Sequence, residues 1–469
     1  MMDKKNKIII TIVLAAFILS LAYSFYFKID PAVDAAAYDR IAWNLVLGNG
    51  YKERAELSYE KDLAILRVGP GYEFFLALIY FVFGHYLWVI WIIHALLSAI
   101  STYLVFLLSK EIFKESQSFF IGAAAASFMA FSPDLITING MLMTETLGVF
   151  LIILSVYLFF KYMNSEDKPV YFVVLTALAF GAAVLVRTPI ALLFLPFAGY
   201  FIFHPVRKTV NDVFKIDDFK GDQTKGLSNG IHKNWRHFLF FSFALVLIFL
   251  PWTLRNYRTY RSFIPTNLAF GYDLLAGNHS GATGELEPYY LNEQFMGQGR
   301  IEGNKLALKE ALLFIFANPL EFLKITFYRI SIYFSFTRPT GFWFHLEGAS
   351  RALTLALSAL YSVLLFVFGF LGIYRIKELP LADKKRAKFF LWALLAMPLA
   401  VIWIIVETRY RFLVYPFFAV FAGYGFIALM DKKINIKVFA VIFGILFLNA
   451  AFDAWRNSAR IMEKIAELL

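Results

Sequence analysis

Residues 8–27 read IIITIVLAAFILSLAYSFYF and run straight into KIDPAVDAAAYDRIAWNLVLGNG at 28–50. The first stretch carries no charge and is about 20 residues long, the length that crosses a hydrocarbon core as a helix. The second puts Asp30 and Asp34 just beyond its end, at the bilayer surface. Charge at that depth is costly and is usually retained for function. Asp34 and Tyr38 stand at i and i+4 and so share a helix face. Pro31 suits a first helical position and Gly48-Asn49-Gly50 suits a stop, which predicts a helix from Pro31 to Leu47.

Apolar runs of this kind recur along all 469 residues, 60% of which are hydrophobic, with mean hydropathy +0.63. Soluble chains hold about half apolar residues. The expected fold is all-α and polytopic. Spans are predicted at 8–27, 74–108 (one long or two-part), 118–133, 146–160, 170–186, 188–203, 238–253, 353–374, 388–406, 412–430 and 437–452. That is a bundle of roughly eleven transmembrane helices. The segment 318–337 carries Lys324 and Arg329 and reads as an interfacial helix. The first run is too long for the core of a signal peptide, and no small-residue cleavage site precedes the acidic patch. It is expected to remain as a span.

The net charge of +11 lies largely in short loops beside apolar runs. Lys4, Lys5 and Lys7 precede the first span. Lys110 and Lys114, Lys161 and Lys168, and Arg375, Lys377, Lys384, Lys385 and Arg386 fall in alternate loops. The positive-inside rule then puts the N-terminus and the basic loop 204–237, a polar linker, in the cytoplasm of a multi-pass plasma (inner) membrane protein. No nucleic-acid module is present, so nucleic acid is not an expected partner. Cysteine is absent, which excludes disulfides, thiolate metal sites and Cys nucleophiles. No phosphate loop, dinucleotide fingerprint or His-x-x-x-His pair occurs either.

The same parity puts Asp34, Arg67, Asp134, Glu145, Arg255, Arg258, Arg261, Asn278, Glu407, Arg409 and Arg411 on the outer side. They belong to the outer segments 28–73 and 254–351 or to short loops. Carboxylates with several arginines at one interface suit a hydroxyl acceptor and a phosphate-bearing donor, because the planar guanidinium binds two oxygens at once. Each residue also has a simpler reading. Asp34 suits a helix cap and Glu145 a helix-dipole partner. Asp134, after Pro133, suits a turn. Arg187 reads as a snorkelling side chain, and Arg255, Arg258 and Arg261 read as part of a belt around Trp252. His94 reads as a core histidine. The Arg409-Tyr410-Arg411 triplet stands where positive charge is disfavoured, and Glu407 is placed to pair with it.

Taken in order, these stretches resemble the GT-C superfamily of integral-membrane glycosyltransferases, in its protein mannosyltransferase-like and aminoarabinose transferase-like branch. The resemblance is carried by Asp34-Ala35-Ala36-Ala37-Tyr38, Gly69-Pro70-Gly71-Tyr72 leading into Phe75-Leu76, and Thr144-Glu145. It continues through Leu185-Val186-Arg187-Thr188-Pro189, Arg255-Asn256-Tyr257, Ile264-Pro265-Thr266-Asn267, Gly277-Asn278 and Arg409-Tyr410-Arg411 with Pro416. Relatives often carry an acidic pair in the first loop, whereas Ala35 follows Asp34 here.

The resemblance implies one transmembrane glycosyltransferase domain over 1–469, with interfacial helices in its outer loops. Its reaction would be inverting transfer of a hexosyl or pentosyl group from a polyprenyl-phosphate-linked sugar to a hydroxyl of a glycan, lipid or protein acceptor, outside the cytoplasm. Asp34 would take the acceptor's proton and Glu145 would orient Asp34, the acceptor or an ion. Arg255, Arg258, Arg409 and Arg411 would hold the donor phosphate. Tyr38, Arg67, Tyr72, Asn278 and Tyr410 would contact substrate. No cofactor is required, and a divalent metal is compatible with the scheme. The loop 254–351 would recognise substrate and act as a gate, with Gly271, Gly277, Gly281 and Gly284 giving it freedom. Other classes remain open. A transporter or lipid flippase would instead show charge near the midplane and internal repeats. A ligase or polymerase of lipid-linked glycans would need larger outer loops, and a silent scaffold would be indifferent to Asp34→Asn.

Overall fold

The structure, a computed structural model, describes residues 3–114, 117–203, 223–286, 295, 297–338, 344–431, 435–458 and 462, with 223–234 as backbone alone. Those residues form helices and turns without strands. The helices are α1 (Lys4–Phe27), α2 (Asp34–Val46), α3 (Gly71–Phe83), α4 (Leu87–Ile112), α5 (Ser118–Ala130), α6 (Pro133–Asn139), α7 (Thr144–Asn164), α8 (Val170–Val186), α9 (Phe194–Phe203) and α10 (Gln223–Tyr260). They continue as α11 (Phe270–Gly277), α12 (Arg300–Ala317), α13 (Pro319–Phe334), α14 (Gly348–Tyr374), α15 (Leu381–Leu399), α16 (Tyr415–Met430) and α17 (Ile436–Arg456).

Six helices among the described residues are long and apolar enough to cross a membrane: α1, α4, α7, the 235–260 part of α10, α14 and α17. The pair α5 and α6, bent by 54° at the Phe131-Ser132 break, makes a seventh. Shorter apolar helices include α8, α9 with the 3-10 turn Thr188–Leu193, and α16. Leu14, Ile18, Phe243, Val246, Leu353 and Leu448 are exposed although apolar. A surface of that kind belongs against lipid rather than water. The chain is an integral membrane protein.

The structure refines the predicted boundaries. The run at 74–108 breaks at Gly84, which has φ +84. Only α4 is long enough to cross. Helix α3 folds back on α2: the Tyr80 hydroxyl donates to Asp39 at 2.5 Å, His85 lies 2.8 Å from the same oxygen, and Trp43 stacks on His85 with centroids 4.6 Å apart. The helix expected from Pro31 starts three residues later, after Val33 with φ 51, a costly conformation for a β-branched residue. The linker at 204–237 lies outside the described residues as far as 222, and from Gln223 the backbone is helical. Helix α13 falls where the interfacial helix was expected.

Helix α7 fixes the polarity of the bundle. At its Asn164 end, Asn164 and Lys161 bind Glu111 on α4. Beside them the Lys114 backbone N–H donates to Asp383, and Arg386 donates to the Ile112 carbonyl. Its other end, Thr144, lies next to residues 141–143, which line the cavity described below. A helix of 21 residues separates these ends by roughly 30 Å. Basic loops and cavity thus occupy opposite ends.

Candidate functional site

Helix α2 presents Asp34 as its first residue, and two distant segments converge on it. Arg67, following a short 3-10 turn at Ala64–Leu66, donates through Nη1 to Asp34 Oδ1 at 3.1 Å. Arg409, on the 3-10 turn Thr408–Leu413, donates through Nη1 to Oδ2 at 2.9 Å. Each carboxylate oxygen thus has its own guanidinium. Arg67 also holds Glu53 at 2.7 Å, and Arg409 pairs with Glu407. Burial pushes the Asp34 carboxyl up, but Arg409 and Arg67 outweigh it and hold it below the ordinary range.

These groups line a cavity of about 510 Å³ whose wall also includes Tyr38, Asn267, Tyr272, Asp273 and Tyr410. Asp273 comes from α11, a helix held tightly at both ends. A Cβ on Gly271 would lie 2.1 Å from the Asn304 carbonyl, and one on Gly277 would lie 2.0 Å from that of Ile404. Arg329, fully buried on α13, reinforces the second contact by donating to the carbonyls of Gly277 and Ile402 and to Asn278 Oδ1. Two of the glycines read as sources of freedom are therefore close-approach residues; Gly281 and Gly284 do have positive φ. Burial, with Glu407 adding to it and Arg409 opposing it, pushes the Asp273 carboxyl up to about 7.

Beside this cavity runs an apolar groove of about 400 Å³ between α3, α7, α8 and α10, lined by Gly71, Phe74, Leu147, Leu151, Leu185, Ile248 and Trp252. The cavity wall reaches Val68 and the groove begins at Pro70, two residues on. Arg255 is the charged residue of the groove lining. Its guanidinium carbon lies 4.7 to 5.7 Å from the ring centroids of Tyr59, Trp252, Tyr260 and Tyr51. It donates to Asn256 Oδ1 at 2.9 Å and has no carboxylate partner among the described residues. An aromatic cage stabilises and orients a cation while leaving its N–H edge for an anion.

The other sequence-predicted residues lie elsewhere. Glu145 and Arg187 are buried together, Nη1 to Oε1 at 2.5 Å, with Thr144 as a second acceptor at 2.9 Å. Arg187 is therefore an ion-pair partner rather than a snorkelling chain, and it lies beneath Tyr410, 5.4 Å from the ring centroid. Glu145 does not line the cavity. Arg411 is fully buried and donates to the Ile332 carbonyl, pointing away from Asp34. Asn278 is spent on Arg329 and on the carbonyls of Leu274 and Ile404. Tyr72 backs Tyr38, its ring 5.7 Å away, and its hydroxyl meets His94 at 3.3 Å. Arg258 is exposed at the end of α10. Asp134 is more than a turn residue: it accepts from Ser358 at 2.5 Å and Tyr415 at 2.8 Å, joining α6 to α14 and α16.

Sequence reasoning missed Glu53, Glu73 and Asp273. Glu73, in the first turn of α3, is fully buried beside Tyr51. Asp273 had one visible signal, a lone acid in an otherwise apolar helical octet.

Comparison with known proteins agrees with this architecture. The sequence profile of the dolichyl-phosphate-mannose-protein mannosyltransferase family matches residues 67–216. Among solved structures, the chain is similar to the oligosaccharyltransferase of Archaeoglobus fulgidus in its apo form, with TM-score 0.54, 14% identity and coverage of 96% of this chain and 54% of that one. The chain has a GT-C fold. The same fold is matched by that enzyme with zinc and sulfate (TM-score 0.52, 14% identity, 95% and 53% coverage). It is matched again by the A. fulgidus enzyme AglB with an inhibitory peptide and a dolichol-phosphate (TM-score 0.53, 12% identity, 96% and 55% coverage). The chain spans about half the length of the structures it matches. No curated protein matches it.

Among the described residues no group of three or more His, Cys, Asp or Glu side chains is placed to hold a metal ion. The chemistry of the cavity acids agrees, since both Asp34 oxygens and Glu407 already meet guanidinium groups.

Proposed function

We propose that the chain is an inverting glycosyltransferase that moves a sugar from a polyprenyl-phosphate donor to an acceptor hydroxyl, with its site on the extracytoplasmic face and its N-terminus in the cytoplasm. The observation that carries this reading is the adjacency of two spaces. One is apolar, opens between helices and bears a caged guanidinium, as a lipid phosphate requires. The other is polar and acidic, as a sugar and its acceptor require.

The polyprenyl tail occupies the groove, and Arg255 faces the phosphate. The sugar projects past residues 68–70 into the cavity. The acceptor oxygen bonds to the anomeric carbon as the bond from that carbon to the phosphate oxygen breaks. The electron pair leaves on the phosphate, where Arg255 stabilises the developing charge. The hydroxyl proton passes to a cavity carboxylate. Arg67 and Arg409, tied to Asp34, give the cavity a fixed set of N–H donors that orients sugar hydroxyls. Profile and fold both point to enzymes of lipid-linked sugars, which supports the donor class.

The test uses purified protein with a panel of radiolabelled polyprenyl-phosphate hexoses and pentoses, and one lipid-diphosphate oligosaccharide. Release of polyprenyl phosphate together with a glycosylated product is expected for one monosaccharide donor. Turnover of the diphosphate substrate alone would replace this reading with a ligase, and turnover of none would remove it.

A further inference from the structure

Charged side chains of alternating sign run in a row from the outer surface into the cavity. Exposed Arg40 donates to Glu53 Oε1 at 2.5 Å, and Arg67 Nη2 donates to Glu53 Oε2 at 2.7 Å. Arg67 Nη1 then reaches Asp34 Oδ1 at 3.1 Å, Arg409 Nη1 reaches Asp34 Oδ2 at 2.9 Å, and Arg409 pairs with Glu407. Arg67 is thus divided between two carboxylates, and its bond to Glu53 is the shorter. Glu53 is buried and does not line the cavity.

The backbones at both ends of this contact are pinned. The Asp62 carboxylate, itself 2% exposed, accepts the backbone N–H groups of Glu53, Arg54 and Ala64 at 2.8 to 2.9 Å. Asn44 holds the Lys52 carbonyl at 2.9 Å. Asn267 donates to the Arg67 carbonyl at 2.8 Å, and the Leu268 N–H donates to the Ile65 carbonyl at 2.9 Å. The direction of the Arg67 fork is therefore set by what its two Nη groups meet. Burial raises the Glu53 carboxyl, but Arg67 and Arg40 outweigh it and hold it below the ordinary range. Glu53 is then charged at neutral pH and competes with Asp34 for Arg67.

That competition decides how much of Asp34 stays open. A guanidinium with one carboxylate to itself gives it two parallel N–H bonds. Held at one prong by Glu53, Arg67 gives Asp34 a single bond, and Arg409 gives another. A carboxylate has about four acceptor positions, so about two remain on a residue that lines the cavity. Resting on the transferase reading above, with Asp34 as the carboxylate that takes the proton, we propose that Glu53 is a positioning residue that draws one prong of Arg67 away from Asp34 and so keeps an Asp34 lone pair open to the acceptor hydroxyl. The acceptor oxygen bonds to the anomeric carbon, its proton goes to that lone pair, and the electron pair leaves with the phosphate. Without Glu53 both prongs close on Asp34 and the base weakens.

The experiment measures kcat and KM for the wild type, Glu53→Ala, Glu53→Gln, Glu53→Asp, Arg67→Lys and the double variant Glu53→Ala with Arg67→Lys, using the donor that the panel identifies. Glu53→Ala should lower kcat about tenfold, a fraction of the hundredfold or more that a general base supplies, with donor KM nearly unchanged. Glu53→Gln keeps the volume but not the charge and should lose almost as much, whereas Glu53→Asp keeps the charge and should recover part of the rate. A lysine has no fork, so in the Arg67→Lys background Glu53→Ala should cost kcat at most about twofold. A Glu53 that merely supports the fold would cost the same in both backgrounds. If Glu53→Ala and Glu53→Gln keep the wild-type kcat, or if the loss is as large beside Arg67→Lys, the inference is overturned while the transferase reading stands; a wild type without turnover overturns that reading instead. One readout needs no turnover. A cryo-EM structure of Glu53→Ala, or of Glu53→Gln should the smaller side chain cost folding, is expected to show both Arg67 Nη atoms within hydrogen-bond distance of Asp34. An Arg67 that keeps its single bond or turns to solvent would overturn the proposal.

Discussion

Removing Glu145 tests how the bundle supports its cavity. The Glu145 carboxylate is 0% exposed and its partner Arg187 4% exposed, so neither can turn to water when the other is lost. Truncating one member of a buried ion pair costs about 3–5 kcal/mol, because an uncompensated charge stays behind. In Glu145→Ala, Arg187 would keep the Thr144 hydroxyl at 2.9 Å and the Tyr410 ring at 5.4 Å. The lower end, about 3 kcal/mol, is therefore expected, roughly a hundredfold in the folding equilibrium. Glu145→Gln keeps a carbonyl acceptor and should lose less. The double change Glu145→Leu with Arg187→Met removes both charges and should return close to the wild type, as buried pairs replaced by apolar groups often do. Thermal and denaturant unfolding in one detergent would measure all four proteins. The reasoning fails if Glu145→Ala melts like the wild type, or if the double variant is as damaged as the single one. It also fails if Glu145→Gln abolishes turnover at unchanged stability, which would return Glu145 to the chemistry.

Three further outcomes follow. Arg255→Ala should lower kcat/KM for the donor about 10- to 100-fold, the worth of one charge-assisted hydrogen bond to phosphate, with part of the loss in kcat because the developing charge loses its partner; Arg255→Lys should recover little, because an ammonium lacks the flat face that the four rings enclose. Gly277→Ala places a methyl 2.0 Å from the Ile404 carbonyl and should lower both stability and kcat, whereas a Cβ on Gly281 meets nothing within 4 Å and Gly281→Ala should cost only the strain of its positive φ, about 1 kcal/mol. The pKa of Asp34 is depressed in the fold, so its ion pairs add stability above the unfolded value of about 3.9 and lose it as pH falls through the folded value. Asp34→Asn should therefore be less stable than the wild type at pH 7, with the gap closing in acid melts.

The long spans α1, α4, α7, α14 and α17 were legible in the sequence because a membrane crossing is a matter of apolar length, and composition records it directly; among the described residues, the stretches expected to cross at 170–186, 188–203 and 412–430 are shorter apolar helices, and the helix at 388–406 ends at Leu399. The side of the bundle that holds Asp34, Arg67 and Arg409 was legible through the parity of the basic loops. What composition hides is direction. Gly84-His85 interrupts an otherwise continuous apolar stretch, and only the contacts of Tyr80 and His85 with Asp39 reveal that α3 turns back. The triplet 409–411 reads as one cluster, yet a 3-10 turn advances about 120° per residue, so Arg409 enters the cavity and Arg411 faces the Ile332 carbonyl. Arg187 and Glu145 lie 42 positions apart, and no local pattern announces their pairing. Asp273 stayed unseen because a single acid on a short helix carries no periodic signal.

The central claim is that a lipid-phosphate groove and a sugar cavity meet at residues 68–70. A cryo-EM structure of the protein with polyprenyl phosphate tests it most directly. The account predicts tail density along α3, α7, α8 and α10, with the phosphate at the Arg255 guanidinium on the side that opens toward Asp34 and Asp273. Lipid phosphate bound instead at the opposite, Lys161-bearing end of the bundle, or a groove filled by side chains with the lipid elsewhere, would contradict it.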